Sequence, residues 1–227
     1  MLGGFKLRFW KSTLCSGALA FSLFLSGCTN GESPEQEIFQ TLEKVVELEA
    51  SFEEQQEPLL ELEKEESAIY EEILSLGMKE FDQIVKLSQE GLALVEQKEA
   101  AMEEEKKSIE AAREEFEEVK ASMESLEDEE LKKEAQSLYQ LMEQRYEAYM
   151  TLWNHYMESM VIEKAMYELF QTEDLTLEEL QLQINNLNEK YEKINEANDS
   201  FNEYTEQYNE KKLNFYEKSG LDVTYNN

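Results

Sequence analysis

The chain has 227 residues, 52 acidic against 21 basic side chains, and a formal charge of −31. That balance repels nucleic acid, which needs clustered Lys and Arg, and it equally repels anionic lipid headgroups and anionic wall polymers. Two cysteines, one histidine and two prolines exclude a disulfide-rich scaffold and leave few helix breakers, while Glu, Lys, Gln and Leu favour long helices over sheet.

At the N-terminus, Lys6, Arg8 and Lys11 precede a thirteen-residue, mostly apolar run from Thr13 to Leu25. A bilayer span needs about 20 apolar residues, so this run suits the core of a secretion signal instead. It ends in Leu25-Ser26-Gly27-Cys28, a lipobox, where an ordinary secretory signal shows an A-x-A-like site. Its cysteine is the acceptor of a diacylglyceryl group, and signal peptidase cuts before it. The competing reading is an ordinary buried cysteine after an apolar helix. Residues 1–27 are therefore expected to be a removed signal peptide and Cys28 the lipidated first residue, anchored at the extracytoplasmic face of the cell membrane. Removal takes away three cations and no acid, leaving 200 residues with a charge of about −34. Cys15 leaves with the signal and Cys28 is consumed by lipid, so no thiol remains for a disulfide, metal or nucleophile.

Residues 28–33 form a short polar tether. Ser33-Pro34-Glu35-Gln36 then predicts a helix start, with Ser33 as N-cap, Pro34 at the first helical position and Gln36 closing a capping box. Apolar residues follow on heptad stripes: Ile38, Val45, Phe52, Leu59, Glu66 and Ile73, beside Leu48, Gln55, Leu62, Ile69 and Leu76. Pro58 interrupts the backbone ladder, yet the stripes keep one phase across it, so the helix is expected to be kinked or broken there. Gly77 is the first stop signal.

A second segment carries Phe81, Val95, Met102, Ile109, Phe116 and Met123 on one stripe. The neighbouring stripe, Ile84, Gly91, Lys98, Glu105, Ala112, Val119 and Leu126, is polar in the middle. The expectation is a narrow buried face and a solvated centre around Glu103 to Lys107. Asp128 and its acidic neighbours mark a third start, where the helix dipole favours negative charge. That segment has the broadest apolar face, including Leu138, Met142, Tyr149 and Leu152, plus the i+7 series Tyr139, Tyr146, Trp153, Met160 and Tyr167. Thr176-Leu177-Glu178-Glu179 opens the fourth segment with a capping box, followed by Leu180, Leu187, Ile194, Phe201, Tyr208 and Phe215, beside a flanking stripe that begins apolar (Leu177, Ile184, Tyr191) and turns polar (Asn198, Thr205, Lys212). Gly220 fits the C′ position, and the tail 221–227 is expected to fray.

The prediction is an all-α fold: an elongated up-down antiparallel bundle of about four long helices, a single domain over residues 34–220. The segments span about 34–76, 79–126, 128–171 and 176–219, each on the order of 60 Å long at about 1.5 Å per residue. With the first helix starting at the membrane, the turns near Gly77 and 172–175 are expected to point toward the wall.

Catalytic signals are weak. Carboxylate pairs drive glycoside hydrolysis only where a cleft raises one pKa and fixes their separation, and among 52 acids no pair stands out. A di-iron bundle needs Glu-x-x-His on two helices, and His155 alone cannot supply it. No calcium loop, phosphate loop or nucleophile elbow occurs. No catalytic residue, no metal site and no cofactor is expected, beyond diffuse weak Ca²⁺ or Mg²⁺ binding by acidic clusters, and the chain does not read as an enzyme. The candidate binding residues are Tyr139, Tyr146, Trp153 and Tyr167, whose rings suit either sugar stacking and partner docking or plain core packing.

The chain resembles the YkyA-like family of lipoproteins from Bacillus-type bacteria. The resemblance rests on the lipobox, Thr41-Leu42-Glu43-Lys44-Val45-Val46, Gln55-Gln56-Glu57-Pro58-Leu59, Leu76-Gly77-Met78-Lys79-Glu80-Phe81-Asp82 and Tyr208-Asn209-Glu210-Lys211-Lys212. It implies a membrane-anchored surface lipoprotein that binds the cell wall. A hydrolase domain has also been suggested for such proteins, with no catalytic residue to carry over. The expected partners are the membrane, through the Cys28 lipid, and peptidoglycan or other envelope proteins; no nucleic acid. The expected role is a non-enzymatic binding scaffold or spacer at the membrane–wall interface. The alternatives are a carboxylate-dependent wall hydrolase and a docking module for envelope proteins.

Overall fold

The computed structural model describes residues 21–23, 32–221 and 223–225. Cys28, and with it the predicted lipidation, lies outside the described residues. Helix caps fall where the sequence places them. The Ser33 hydroxyl accepts from the Gln36 N–H while the Ser33 N–H donates to Gln36 Oε1, and Pro34 begins α1 (Pro34–Leu48). After Glu49 comes α2 (Ala50–Ser75). A 3₁₀ turn (Met78–Glu80) follows Gly77 and leads into α3 (Phe81–Phe116), then the short α4 (Val119–Glu124). The Asp128 carboxylate accepts from the N–H groups of Glu130 and Leu131, starting α5 (Glu129–Phe170). Thr176 and Glu179 exchange hydrogen bonds at the start of α6 (Leu177–Lys218), and Gly220 takes a φ of 70° beyond its end. That left-handed backbone is the one an L side chain resists.

Four long helical segments therefore appear with the predicted bounds, and of the two alternatives left open at Pro58, a kink or a break, the helix is not broken there. α2 runs through Pro58 without interruption. The first segment is interrupted at Glu49 instead, and the cause lies on another helix. The Ser108 hydroxyl of α3 donates to the Leu48 carbonyl at 2.6 Å and accepts from the Phe52 N–H at 3.2 Å. Leu48 and Phe52 are four residues apart, so a side chain has entered one rung of the helical ladder. Pro58 and Glu54, whose carbonyl loses its ladder donor to the proline, are both exposed, so water can take that carbonyl without the helix opening. The second segment tightens between α3 and α4, where Glu118 N–H bonds Glu115 and Lys120 N–H bonds Glu117, both three residues back.

A short antiparallel pair joins β2 (Val223–Tyr225) to β1 (Phe21–Leu23), which lies within the residues expected to leave with the signal, opposing Phe21 to Tyr225 and Leu23 to Val223. Among the described residues no helix is long and apolar enough to cross a membrane.

The packing falls into two compact units. The first takes Glu54–Glu104 and Met150–Asn198, the second the described residues up to Glu53, Glu105–Tyr149 and those from Asp199 onward. In the first unit, Lys98 meets Glu66 and Gln83 meets Glu72, so α2 and α3 run antiparallel. Its core joins Tyr70, Val95, Met102, Met160, Leu187 and Ile194, the aliphatic and methionine side chains each worth about 1.5–3 kcal/mol of burial. In the second, Glu43 meets Tyr216 while Phe52 packs on Phe201, setting the N-terminal and C-terminal helices antiparallel. Arg113 with Glu143 and Tyr139 with Glu117 do the same for α3 and α5.

Candidate functional site

The candidate aromatic series divides between the two units. In the second, Tyr146 is fully buried, with its ring edge-on to Phe116 at 6.1 Å. Tyr139 is half-buried, stacked on Phe116 at 5.1 Å; its hydroxyl donates to Glu117 and the Lys120 ammonium lies 5.0 Å over its ring. In the first unit, Trp153 is half-buried against the core, and Tyr167 is fully buried. Gly91 explains the fit of Tyr167: a Cβ at Gly91 would stand 2.4 Å from Tyr167 Cε1. Two of the four rings thus serve as core, and a continuous exposed sugar platform along the series is absent among the described residues.

His155 is a half-buried side chain, 3.4 Å from Glu158, whose carboxylate also takes Lys190 at 2.5 Å. Among the described residues no group of three or more His, Cys, Asp or Glu is placed to hold a metal ion.

The distinctive chemistry is inside. Glu66 and Lys98 occupy apolar heptad stripes, and both are buried. Lys98 lies against Glu66 and, at 2.7 Å, Glu163. Glu63 accepts a hydrogen bond from the Tyr156 hydroxyl, and Glu163 accepts one from the Tyr191 hydroxyl at 2.8 Å. Desolvation, then the neighbouring Glu163 charge, pushes the Glu66 carboxyl up to about 7, and desolvation also raises Glu63. Burial works against the Lys98 ammonium, but Glu163 and Glu66 outweigh it and hold its pKa above the usual lysine value. Glu163 is 1% and Glu66 2% exposed, so both carboxylates are sealed from any glycan.

The expectation of a solvated α3 centre fails at Glu105, which is buried, whereas Glu104 and Lys107 are exposed. The second unit has its own polar interior. Arg145 grips both oxygens of Glu49, at 2.6 and 2.8 Å, and donates through Nε to Thr205 at 2.9 Å. Lys212, another stripe position, is buried 3.6 Å from Glu43, and desolvation lowers its pKa. A surface groove of about 590 Å³ is lined by Glu37, Gln40, Thr41 and Lys44 of α1 with Glu115, Glu118 and Ser122 opposite. Sequence reasoning missed these interior groups because it read charged residues as solvated; their membership of the i+7 stripes was the available signal.

The architecture defines an all-α protein of long antiparallel helical segments carrying ionic layers inside an otherwise apolar core. The chain belongs to the YkyA family, described as "Putative cell-wall binding lipoprotein", which it matches over residues 33–218. It is 35% identical over 204 residues to the uncharacterized lipoprotein YkyA of Bacillus subtilis strain 168, covering 90% of this chain and 91% of that one. In fold it is similar to a crystal structure of a conserved protein of unknown function from Staphylococcus aureus. That likeness has a TM-score of 0.59 at 13% identity, over 82% of this chain and 97% of the other.

Proposed function

We propose that the mature chain is a non-enzymatic helical scaffold, held at the outer membrane surface by lipid on Cys28 and contacting the cell wall. The observation that carries this reading is the burial of the interior carboxylates: Glu63, Glu66 and Glu163 face a lysine and tyrosines rather than an open cleft. General acid catalysis on a polymer needs the acid within hydrogen-bond reach of the scissile oxygen. The lipobox and the family's description support the anchor and the wall as partner. The turns at Gly77 and around 171–176 are the segments for wall contact; other envelope proteins are the competing partners. Against the charge of about −34, contact with the wall relies on hydrogen bonds, stacking or bridging divalent cations rather than on simple attraction.

The test is co-sedimentation of the mature chain with purified sacculi, with and without chelator, alongside a zymogram on the same wall. Binding without clearing is expected. Lysis abolished by a single Glu→Gln substitution overturns the reading, as does failure to sediment under both conditions. In cells, Cys28→Ala should release the chain from the membrane fraction; retention in that fraction refutes the anchor.

A further inference from the structure

The interior of the first unit sets three carboxylates against one ammonium. α2 contributes Glu63, Glu66 and Tyr70, α3 contributes Lys98, α5 contributes Tyr156, Glu163 and Tyr167, and α6 contributes Tyr191. Among the described residues, these titratable groups face the cluster from α2, α3, α5 and α6. The Ser159 hydroxyl adds a 3.5 Å contact to Glu163. Tyr156 and Tyr191 lend hydrogen bonds but no charge, and burial together with the carboxylates keeps both phenols protonated.

With all three carboxylates ionised, Lys98 offsets one charge and two remain uncompensated, where Glu66 and Glu163 are closed to water and Glu63 is nearly so. Such a residue of charge is costly in a medium of low dielectric constant. Lys164 does not relieve it, because it stands at the half-exposed rim, bound to Glu99 at 2.5 Å. A metal ion has no vacancy either, since the Lys98 ammonium occupies the position between Glu66 and Glu163. The remaining source of positive charge is a proton.

We propose that the first unit is a proton-responsive element, in which Glu66 binds a proton at mildly acidic pH and its release above neutrality loosens the four helices around Lys98. Protonation adds one hydrogen to a Glu66 oxygen, taken from solvent and returned to it, and removes one unit of charge from the cluster. The direction follows from the raised carboxyl pKa, about 7 against 4.5 unperturbed. The folded form binds the proton more tightly than the unfolded chain, so its stabilising effect is complete below about pH 4.5 and is lost as pH rises through about 7.

The experiment uses the full mature chain. Infrared spectroscopy reads the carbonyl stretch of a neutral carboxyl at about pH 6, where exposed acids are ionised. One neutral carboxyl per chain is expected, fading by about pH 8 and missing in Glu66→Gln. Thermal unfolding between about pH 5.5 and 8.5 should show Tm falling with pH in the wild type and a flatter profile in Glu66→Gln, whose amide mimics the neutral acid. Repulsion among the surface acids acts equally on both proteins and cancels from the comparison. No neutral carboxyl at about pH 6, a band that survives Glu66→Gln, or identical Tm profiles each overturns the proposal. Should the variant fail to fold, the infrared titration of the wild type decides alone.

Discussion

Ser108 donates its hydroxyl to the Leu48 carbonyl across two helices at 2.6 Å, and this contact sets the interruption between α1 and α2. The same oxygen takes the Phe52 N–H, so both halves of the opened rung are satisfied by one side chain. Ser108 is buried, and water has little access to replace it. Ser108→Ala therefore leaves a buried donor and acceptor unpaired, with an expected loss of about 1–3 kcal/mol. Urea unfolding of the two proteins measures it. A loss below about 0.5 kcal/mol would mean that the ladder closes at Glu49 without Ser108, and that the hydroxyl does not hold the break.

Glu49, at that interruption, is gripped at both carboxylate oxygens by Arg145, whose guanidinium carbon also lies 4.8 Å over the Phe201 ring. The fork geometry makes lysine a poor substitute. Arg145→Met should cost about 3–5 kcal/mol, because it strands Glu49 in a poorly solvated position. Adding Glu49→Gln should recover part of that loss, since it removes the stranded charge. Chemical denaturation of both single variants and the double variant reads the coupling; strict additivity would show that the pair does not act as a unit.

The stripes made the helices legible, and the same stripes hid the interior chemistry. Leu59, Val95, Leu187 and Phe215 are core as their periodicity requires. Glu66, Lys98, Glu105, Asn198 and Lys212 fall on those stripes too, and all five are buried. A residue scale that sends polar groups to the surface contradicts the phase at these points, and phase prevailed, with Glu66 set against Lys98 and Lys212 set near Glu43, each partner on another helix. Pairing of Glu66 with Lys98 and Glu163 depends on which helix faces which, and no local pattern encodes that. The break at Glu49 was hidden for the same reason: its cause is Ser108, on α3. Tyr146 and Tyr167 were legible as aromatic positions that suit core packing as well as an exposed face, and the choice between the two was not legible, since i+7 spacing alone does not say how many neighbours a helix has.

Pro58 is the clear local irregularity in the sequence, yet it is exposed inside an unbroken α2. Its ring removes one ladder bond, while its restricted φ also limits the unfolded chain. The helical penalty of about 3 kcal/mol relative to alanine exceeds the entropic gain of about 1 kcal/mol. Pro58→Ala should raise stability by about 1–2 kcal/mol, seen as a higher urea midpoint at unchanged slope. A lower midpoint would show that the proline sets a bend on which the packing around Leu59 depends.

Gly91 poses the opposite test of local against tertiary preference. It lies within α3, where alanine is favoured over glycine by about 1 kcal/mol, so propensity alone predicts that Gly91→Ala stabilises the chain. The structure predicts the reverse. An added Cβ would meet Tyr167 Cε1 at 2.4 Å and Cζ at 2.5 Å, and that ring is fully buried, with no free end to swing aside. Overpacking of this kind costs about 1–3 kcal/mol and forces either the ring or the helix to move. Tyr167 also faces Glu66, so its displacement should disturb the ionic cluster as well as the apolar packing. Gly91→Ala is expected to lower Tm and to speed amide exchange in both α3 and α5 of the first unit. Combination with Tyr167→Leu, which removes the ring atoms that clash, should make the same alanine less costly than it is in the wild-type background. If Gly91→Ala proves stabilising, the close approach of α3 to Tyr167 is not a feature of the folded chain.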